Sequence, residues 1–304
     1  MDLSIIILSY NTKNITDQCL RKLQLSVVRC QTKFKNKIEV IVLDNASSDG
    51  SVEMIKSKQK WVNLIESKTN TGYSKGNNIG FKKSKYPAVL FLNSDVYVEE
   101  DTLERSLEYF KNPNCDVLGI QLRYDDGSFQ PSAGNLPTPL NIISWILGLS
   151  LIPIIREFTN PFHPNYKSFF VSPTGATPVG WVSGAFFMCR KAVFDKVGGF
   201  DESIFMYLEE VELCKRINMA GFKIWYAPQI KVTHLHGASS KFDSTLAFVN
   251  ELKGLKYYFR KYYSTWYSLV KMFLILGLVL RIMAFSLLGK TQRARAYIEG
   301  LAVI

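Results

Sequence analysis

The sequence is poor in histidine and cysteine. Among 304 residues there are only 3 His and 5 Cys. The cysteines are odd in number, widely spaced and never form a C-x-x-C pair, which argues against a zinc site and against a disulfide framework. They are Cys19, Cys30, Cys115, Cys189 and Cys214. We therefore expect a protein of a reducing compartment that folds without structural zinc or disulfides.

Low-complexity segments and a secretory signal are also missing. The 19 Gly and 11 Pro are close to average, and 47% of the residues are hydrophobic against 21% charged, so collagen-like and disordered chains are excluded. Met1–Leu3 leads into an apolar run without the basic region of a signal peptide. We expect a cytoplasmic chain whose first residues already belong to the fold.

Positive charge is concentrated near the C-terminus. The formal net charge is +11, and from Glu251 onward nine basic residues face two acidic ones, a charge of +7. Residues 1–250 carry 28 basic and 24 acidic residues and account for the remaining +4. The basic character therefore belongs mainly to the C-terminal tail.

The first 122 residues alternate short apolar runs with helical stretches. The predicted strands are Leu3–Leu8, Ile38–Leu43, Val62–Ile65 and Val89–Leu92, and the predicted helices are Asn14–Val28, Gly50–Lys58 and Lys75–Lys83. Aliphatic runs without alternation are typical of strands that are buried on both faces. This order predicts an α/β fold with a mostly parallel sheet flanked by helices, which binds ligands at the carboxyl ends of its strands.

Acidic side chains follow two of these strands. Asp44 stands at the end of a strand, where its carboxylate could accept hydrogen bonds from a nucleotide base or ribose, whereas helix capping accounts for Ser48 or Asp49. Asp95 follows another buried run and is a suitable ligand for a hard divalent cation, with an Asx turn as the alternative for this N-x-D sequence.

Two further groups could carry chemistry. Glu209 and Glu210 begin an amphipathic helix after an apolar segment, and a desolvated carboxylate beside a like charge suits a general base. The alternative is that acidic residues in a first turn only favour the helix dipole. His234 and His236 share one face of a predicted strand, where a metal or phosphate contact is plausible and His236 is expected to be the bystander.

In their order along the chain, these motifs resemble glycosyltransferase family 2. The first half contributes Ser9-Tyr10-Asn11, Asp44–Ser51, Asn70-x-Gly72-Tyr73-x-x-Gly76-Asn77-Asn78-x-Gly80 and Asn93-Ser94-Asp95. The second half contributes Trp181-Val182-Ser183-Gly184-Ala185, Gly198-Gly199-Phe200-Asp201-Glu202, Tyr207-x-Glu209-Glu210-x-Glu212-Leu213-Cys214-x-Arg216 and His234-x-x-Gly237-x-Ser239. The resemblance covers about residues 3–240 and is greatest to the rhamnosyltransferase-type branch that builds O-antigens and related bacterial polysaccharides.

The resemblance implies a Rossmann-like GT-A fold and an inverting transfer that depends on Mg²⁺ or Mn²⁺. The donor would be a nucleotide-sugar, with dTDP-rhamnose expected first and UDP- or GDP-linked sugars as alternatives. The acceptor would be a glycan or a polyprenyl-diphosphate-linked glycan. Position by position, the resemblance implies that Ser9, Asn11 and Asp44 contact the nucleoside, Asn78 lies near the donor, Trp181 lines the acceptor side, Asp95 and His234 hold the metal, and Glu210 is the base beside Glu209.

This sequence departs from the family pattern at two of these motifs. The metal motif is N-S-D in place of D-x-D, so Asp95 is left as the main acidic ligand. The base position is often Asp in the family, so the division of roles between Glu209 and Glu210 stays open.

The sequence predicts three regions. Residues 1–122 would form the nucleotide-sugar half of one domain, 123–240 its acceptor and catalytic-base half, and 241–304 a basic, apolar helical tail. In the tail, Leu246–Tyr263 reads as a helix and Trp266–Leu288 is apolar. The latter contains Lys271 and Arg281, each costing roughly 2.5–3.5 kcal/mol in hydrocarbon.

We therefore expect the tail to lie on an anionic membrane rather than to span it, with long basic side chains snorkelling outwards. The Leu140–Ile155 segment would add a second contact. This places the protein peripherally at the cytoplasmic face of a bacterial inner membrane. A spanning tail, a tail packed on the catalytic domain and a homo-oligomer interface are the alternatives.

Two other classes of function compete with an enzyme. A nucleic-acid-binding protein would use the net positive charge, but that charge lies beside apolar helices and no nucleic-acid-binding motif is recognised. An inactive scaffold subunit is disfavoured because Asp44, Asp95, Glu210 and His234 are all present together.

Overall fold

The computed structural model describes residues 1–164, 175–235 and 244–304. These residues divide into two compact units. The first unit comprises residues 1–133, 175–205 and 209–235, and the second comprises 134–164, 206–208 and 244–304. The predicted His236 and the Gly237-x-Ser239 part of its motif lie outside the described residues.

The first 110 residues follow the predicted β-α-β-α order. The strands are β1 Leu3–Ser9, β2 Ile38–Asp44, β3 Asn63–Glu66, β4 Ala88–Asn93, β5 Val96–Tyr97, β6 Val117–Arg123, β7 Phe129–Gln130, β8 Ala133–Gly134, β9 Thr177–Pro178, β10 Trp181–Val182, β11 Phe186–Arg190 and β12 Ile224–His234. The helices are α1 Lys13–Phe34, α2 Ser51–Lys58, α3 Gly72–Phe81, α4 Thr102–Phe110, α5 Pro139–Ile146, α6 Pro153–Thr159, α7 Lys191–Val197, α8 Glu209–Met219, α9 Ser244–Tyr262, α10 Ser264–Leu287 and α11 Thr291–Val303, with a 3₁₀ turn at Leu149–Leu151.

The main sheet of the first unit has the order β3-β2-β1-β4-β11-β6-β12-β5. Strands β3, β2, β1 and β4 are parallel, as predicted, whereas β11 runs antiparallel between β4 and β6. The register pairs Ser9 with Asp44 and Leu8 with Asn93. The residues that end three neighbouring strands therefore meet at one edge of the sheet, where the sequence predicts the ligand site.

The core of this unit explains why the aliphatic runs form strands. Ile5, Ile7, Val42 and Leu90 are almost completely buried, which is the environment of a strand covered by helices on both faces. All five cysteines are buried and free in the structure. Burial raises the pKa of the Cys30 thiol to about 11, so this side chain behaves as a small apolar residue.

The second unit is helical and includes a segment that the sequence assigned to the acceptor half. Helix α5 begins with a capping box, in which the Thr138 side chain accepts from the Asn141 N–H and Asn141 accepts from the Thr138 N–H. Its C-terminal end is capped by Arg281 of α10, which donates to the carbonyl oxygens of Trp145, at 3.1 Å, and Ile146. Residues 134–164 therefore fold with the C-terminal helices.

This contact changes the interpretation of Arg281. The sequence treated Arg281 as a charge that is costly in hydrocarbon and that snorkelling could relieve, and in the structure its guanidinium satisfies backbone carbonyls at the end of α5. Gly277, one turn earlier, permits the close approach, since a Cβ there would lie 2.7 Å from the Ile146 oxygen. Within the described residues, α10 is the one helix that is long and apolar enough to cross a membrane, with a mean hydropathy of 2.1.

Candidate active site

The loops after β1 and β2 are tied together at the edge of the sheet. The Asn11 N–H donates to Ser47 Oγ at 2.9 Å, and Asn11 Oδ1 accepts from the Ser48 N–H at 2.8 Å. Asn11 has a φ of 51°, a left-handed conformation that Asn tolerates better than most residues. The backbone N–H and the side-chain Oδ1 of Asn11 both bond to the loop after β2 and fix its shape. Any nucleoside contact by this exposed residue would form in addition to these two bonds.

Asp44 ends β2 with one carboxylate oxygen unused. Its side chain is 1% exposed, Oδ1 accepts from the Ser47 N–H at 2.9 Å, and the buried Oδ2 has no hydrogen-bond partner among the described residues. An unsatisfied buried carboxylate oxygen is costly, and a catalytic role or a bound water or ion are among its explanations in native structures. This observation supports the expectation that Asp44 binds part of a ligand.

Ser9 is placed differently from its expected role. Its side chain is fully buried, and its hydroxyl lies 3.0 Å from the Thr16 hydroxyl and 3.4 Å from that of Thr12. The hydroxyl therefore belongs to a buried hydrogen-bond chain at the start of α1. The position of its side chain gives no support to the predicted contact with a nucleoside.

Asn45, which the sequence did not single out, joins a third loop to this edge. Its Nδ2 donates to Asn70 Oδ1 at 2.8 Å, and its Oδ1 accepts from the Thr71 N–H at 2.9 Å. Asn70 in turn accepts from the Gly72 N–H at 3.0 Å. These bonds fix the N-terminus of α3, where Gly72 adopts a φ of 77°.

Asp95 and His234 lie side by side although 139 positions separate them in the sequence. His234 Nε2 is 3.3 Å from Asp95 Oδ1, and the two side chains are 9% and 8% exposed. The pairing of β5 with β12 brings them together, since the Leu235 N–H donates to the Asp95 carbonyl at 3.0 Å. His234 Nδ1 is 3.2 Å from Gln130 Oε1 of β7. The structure thus unites the two residues expected to hold a metal.

The arrangement fits a divalent cation. His234 presents Nε2 to the Asp95 carboxylate and Nδ1 to Gln130 Oε1, and a polar partner at the second ring nitrogen is common for metal-ligating histidines. Neighbouring ligands with bonds of about 2.1 Å to one ion are separated by about 3 Å, close to the observed 3.3 Å. The described residues contain no group of three His, Cys, Asp or Glu that could hold a metal, so donor oxygens and water would complete the coordination.

Tyr73 is a buried residue whose pKa is affected by three acidic residues of the site. Burial raises the pKa of Tyr73 well above 10, and the nearby charges of Glu209, Glu210 and Asp95 raise it further. The phenol therefore stays neutral and donates to the Gly184 carbonyl at 2.8 Å. A Cβ on Gly184 would lie 2.9 Å from the Tyr73 hydroxyl and 3.7 Å from Glu210 Cβ. The predicted base, its neighbour and the predicted metal ligand therefore all act electrostatically on this buried tyrosine.

The helix that carries the predicted base is held firmly. Glu209 is buried, whereas Glu210 is partly exposed as a residue although its Oε2 atom is buried. One turn along α8, the fully buried Glu212 accepts two-pronged hydrogen bonds from Arg216, with the shortest contact at 2.6 Å. The role of Glu212 is structural, because this pairing uses both carboxylate oxygens.

Asn78 and Trp181 are placed less directly at the site. Asn78 accepts from the Phe200 N–H and donates to the Phe200 carbonyl, both at 2.9 Å, and also donates to Glu202 at 3.0 Å. Its amide therefore holds the Gly198–Glu202 loop, which gives no support to a direct donor contact. Trp181 lies on β10 and is 5% exposed, beside the Ser183-Gly184 loop that faces Tyr73.

Comparison with known proteins identifies the family. Residues 4–198 match the sequence profile of Glycosyl transferase family 2, which is more than half of the chain. The chain belongs to glycosyltransferase family 2. It is therefore a glycosyltransferase, as the motifs predicted.

Two relatives of this family 2 protein are named as rhamnosyltransferases. It is 29% identical over 252 residues to N-acetylglucosaminyl-diphospho-decaprenol L-rhamnosyltransferase of Mycobacterium tuberculosis, covering 78% of this chain and 77% of the relative. It is also 29% identical over 201 residues to rhamnosyltransferase WbbL of Escherichia coli K12, covering 62% of this chain and 71% of the relative. The predicted likeness to the rhamnosyltransferase branch is confirmed.

Solved structures confirm the GT-A fold. The mannosyltransferase PcManGT from Pyrobaculum calidifontis, solved with GDP-Man and Mn²⁺, superposes with a TM-score of 0.61 at 15% identity, covering 99% of this chain and 86% of that one. Staphylococcus aureus TarS 1-349, solved with UDP-GlcNAc, gives a TM-score of 0.55 at 20% identity, covering 100% of this chain and 84% of that one.

Three residues of the glycosyltransferase site were missed at the level of sequence. Asn45 and Tyr73 lie inside the quoted family motifs, so their positions carried a signal that we left without a role. Gln130, which orients His234, lies on a strand of two residues in an irregular segment. No sequence pattern distinguishes it from an ordinary surface glutamine.

Proposed function

We propose that this glycosyltransferase transfers a sugar, with inversion, from a nucleotide-sugar to a glycan or polyprenyl-diphosphate-linked acceptor in cell-surface polysaccharide synthesis. The observation that carries the proposal is the 3.3 Å pairing of Asp95 with His234. In this proposal the donor diphosphate binds beside the cation site at Asp95 and His234. The carboxylate of the partly exposed Glu210 activates the acceptor.

Recognition of the nucleoside is assigned to the loops after β1 and β2, at the same edge of the sheet. The free Asp44 Oδ2 accepts a hydrogen bond from an N–H of the base or a hydroxyl of the ribose, and the Asn11 loop closes over the nucleoside. A buried charged acceptor makes a strong bond because it has no competing water. This bond orients the donor before reaction.

Asp95 and His234 are the residues that would hold Mg²⁺ or Mn²⁺ at the donor diphosphate. When bound, the cation would supply Lewis-acid neutralisation of the charge on the departing diphosphate. Gln130 keeps His234 in the tautomer with Nε2 available. Mn²⁺ in the PcManGT structure supports this proposal in general terms and does not distinguish the two metals.

Glu210 is proposed as the general base, with Glu209 next to it. Its carboxylate takes the proton of an acceptor hydroxyl, the hydroxyl oxygen forms the new bond to the anomeric carbon, and the bond to the nucleoside diphosphate breaks in the same displacement. The nucleoside diphosphate leaves with the bonding electron pair. A single displacement inverts the anomeric configuration, and Trp181 lines the acceptor side.

The donor proposed first is dTDP-rhamnose, with UDP- and GDP-linked sugars as alternatives. The Mycobacterium tuberculosis relative is named for transfer of L-rhamnose to N-acetylglucosaminyl-diphospho-decaprenol, and this class of lipid-linked acceptor fits a protein with a large exposed apolar surface. A thermal-shift panel with dTDP, UDP and GDP, each with and without Mn²⁺, tests the proposal.

A nucleotide at a concentration one hundred times its Kd stabilises the folded protein by about 2.7 kcal/mol. We expect a metal-dependent shift with one nucleotide, reduced in Asp95→Asn. Absence of a shift with all three nucleotides, in protein shown to be folded by its cooperative melting, contradicts the proposal.

The second unit is proposed to lie on anionic lipid at the cytoplasmic face of the bacterial inner membrane. Exposed apolar side chains recur along α10 at spacings of three and four residues and form one face of the helix, made of Leu269, Met272, Leu276, Leu280, Met283 and Leu287. Leu151, Ile154 and Phe158 are 68–78% exposed in the same unit. The +7 charge after residue 250 matches an anionic surface.

Helix α10 is proposed to lie in the interface rather than to cross the membrane. Helix α11 packs against its C-terminal half, where the rings of Phe285 and Tyr297 stack at 5.5 Å. It carries the exposed ion pair of Arg295 and Glu299, at 2.9 Å. A crossing α10 would take these charges and Arg281 into hydrocarbon, which is costly.

Flotation with vesicles tests the membrane proposal. We expect the full chain to float with vesicles of phosphatidylcholine containing 30% phosphatidylglycerol, and Leu276→Asp with Leu280→Asp to abolish flotation. Leu25→Asp is the matched control, because Leu25 is also about half exposed, at 55% against 51% for Leu280, but lies on α1 of the other unit. Retention on the membrane after an alkaline carbonate wash would indicate a spanning helix and contradict the interfacial arrangement.

A further inference from the structure

A buried glutamine interrupts the apolar sequence of β6. Gln121 is 5% exposed, and its neighbours Ile120 and Leu122 are core residues at 1%. Glutamine is seldom buried in a strand unless its amide is hydrogen-bonded, because an unpaired amide inside a protein is costly. The partners of the Gln121 amide therefore indicate what this residue does.

On its acceptor side, the Gln121 amide is held by a tyrosine of β12. The Tyr226 hydroxyl donates to Gln121 Oε1 at 2.8 Å, and the Tyr226 side chain is fully buried. Burial raises the pKa of the Tyr226 phenol, so the phenol stays protonated and remains a donor at neutral pH. Because Oε1 accepts from the phenol, the NH₂ group of the amide is left to donate elsewhere.

On its donor side, the Gln121 amide holds β7. Its Nε2 donates to the backbone carbonyl of Gln130 at 3.2 Å. Gln130 is 4% exposed, and its Oε1 lies 3.2 Å from His234 Nδ1. Strand β7 has two residues and pairs with β6 at Leu122 and Arg123. Such a short hairpin is held weakly by its own ladder, so the bond from Gln121 helps to determine where Gln130 lies.

We propose that Gln121 and Tyr226 are positioning residues for the metal site, because together they hold the backbone of Gln130. Gln130 in turn sets the orientation of the His234 ring beside Asp95. For stability alone, an apolar pair of the same shape would be nearly equivalent, whereas outer partners of metal ligands commonly affect metal affinity. The inference rests on the proposed role of His234 and Asp95 as ligands of Mg²⁺ or Mn²⁺.

The test compares two buried glutamines that are bonded in the same way. Gln59 is 3% exposed, its Oε1 accepts from the Trp61 indole N–H at 2.8 Å, and its Nε2 donates to Asp17 at 2.6 Å. Neither of these partners belongs to the proposed metal site. Gln59→Met is therefore the matched control for Gln121→Met.

The full chain is titrated with dTDP, UDP and GDP at a series of Mn²⁺ concentrations and in EDTA. The quantity compared is the Mn²⁺ concentration that gives half of the gain in nucleotide affinity, and urea unfolding measures stability in parallel. We expect both methionine variants to unfold at lower urea concentrations than the wild type, because each leaves buried polar groups unpaired. Nucleotide affinity in EDTA should be unchanged in both.

The Mn²⁺ requirement should separate the two variants. Gln130→Met, which removes the direct partner of His234, should raise the half-saturating Mn²⁺ concentration by about 10- to 100-fold. Gln121→Met acts one bond further out and should raise it by about threefold to tenfold. Gln59→Met should leave it within about twofold of the wild type. An equal Mn²⁺ requirement in Gln121→Met and Gln59→Met would overturn the inference.

Tyr226→Phe in the Gln121→Met chain distinguishes positioning from stability. The second substitution removes the phenol that has lost Gln121 Oε1, so it should recover part of the stability. It does not restore the bond to Gln130, so the Mn²⁺ requirement should stay raised. Recovery of the wild-type Mn²⁺ requirement together with stability would contradict the inference. If Gln121→Met does not fold, Tyr226→Phe alone replaces it, and a wild-type Mn²⁺ requirement in that variant would contradict the inference as well.

His234→Ala, titrated in parallel, separates this inference from the proposed function. If His234→Ala needs more Mn²⁺ than the wild type while Gln121→Met does not, the metal site stands and the role of Gln121 is wrong. If His234→Ala needs no more Mn²⁺ than the wild type, the assignment of His234 to the metal and the role of Gln121 fall together.

Discussion

The buried carboxylate of Asp44 offers a test of how this glycosyltransferase recognises its donor. Asp44→Asn keeps the shape of the side chain and exchanges one oxygen for an NH₂ group. Among the described residues Oδ2 has no hydrogen-bond partner and Oδ1 accepts from the Ser47 N–H, so the exchange replaces one unsatisfied group by another. We therefore expect the free energy of unfolding to change by less than about 1 kcal/mol.

Binding should respond much more than stability. A hydrogen bond to a charged group contributes about 1.5–3 kcal/mol, and an amide NH₂ cannot accept the donor N–H or O–H that Asp44 is proposed to bind. At 1.4 kcal/mol per factor of ten, the affinity for the nucleotide should fall about 10- to 150-fold. The loss should be the same with and without the sugar attached, because the contact lies at the nucleoside.

Isothermal titration with dTDP, UDP and GDP measures this change. Asp49→Asn is a control from the same loop, because Asp49 accepts from the Ser51 and Lys13 N–H groups and has a structural role. That variant should lose stability and keep its nucleotide affinity. If Asp44→Asn binds every nucleotide as tightly as the wild type, the assignment of Asp44 to the nucleoside is refuted.

Four further outcomes are expected. Glu210→Gln should lower kcat about 10²- to 10⁴-fold with nucleotide binding unchanged, and a normal kcat in a steady-state assay would remove Glu210 from the role of base. His234→Ala should weaken nucleotide binding in Mn²⁺ but not in EDTA, measured by thermal shift; equal losses in both would argue against a metal ligand. Arg216→Met should lower the free energy of unfolding in urea by about 3–5 kcal/mol, because it leaves the fully buried Glu212 carboxylate without its partner, and a loss under 1 kcal/mol would contradict this. Tyr73→Phe should cost about 1–3 kcal/mol at neutral pH. Since folding raises the pKa of Tyr73, wild-type stability should also fall as the pH rises above about 10, by an amount that the phenylalanine variant lacks; parallel pH curves for the two proteins would refute the assignment.

The parallel half of the fold and much of the site could be predicted from local patterns. The aliphatic run at Ile38–Leu43 became β2, Ile38–Asp44, and the helix predicted at Gly50–Lys58 became α2, Ser51–Lys58. Continuous apolar runs of this length specify strands buried on both faces, and strand ends of a parallel sheet share one edge. Asp44 and Asp95 could therefore be assigned to that edge without any knowledge of long-range contacts.

Other features depended on contacts that no local pattern contains. The antiparallel β11, between β4 and β6, comes from a region of mixed composition and is paired through distant strands. The Ser9 hydroxyl turned towards Thr16 and the Asn78 amide towards Phe200, although both residues lie in family motifs. A motif gives the residue type at a position, whereas the direction of a short polar side chain depends on which partner folding brings near it.

The amino-acid sequence by itself determined the family, the α/β class and the residue types of a nucleotide-sugar site, because buried strands and motif spacing are local properties of the chain. Only the tertiary structure decided that Gln130 orients His234, that Tyr73 donates to the Gly184 carbonyl, and that Arg281 caps α5. Each of these depends on a contact between residues far apart in the chain, whose geometry is set by packing of the whole unit.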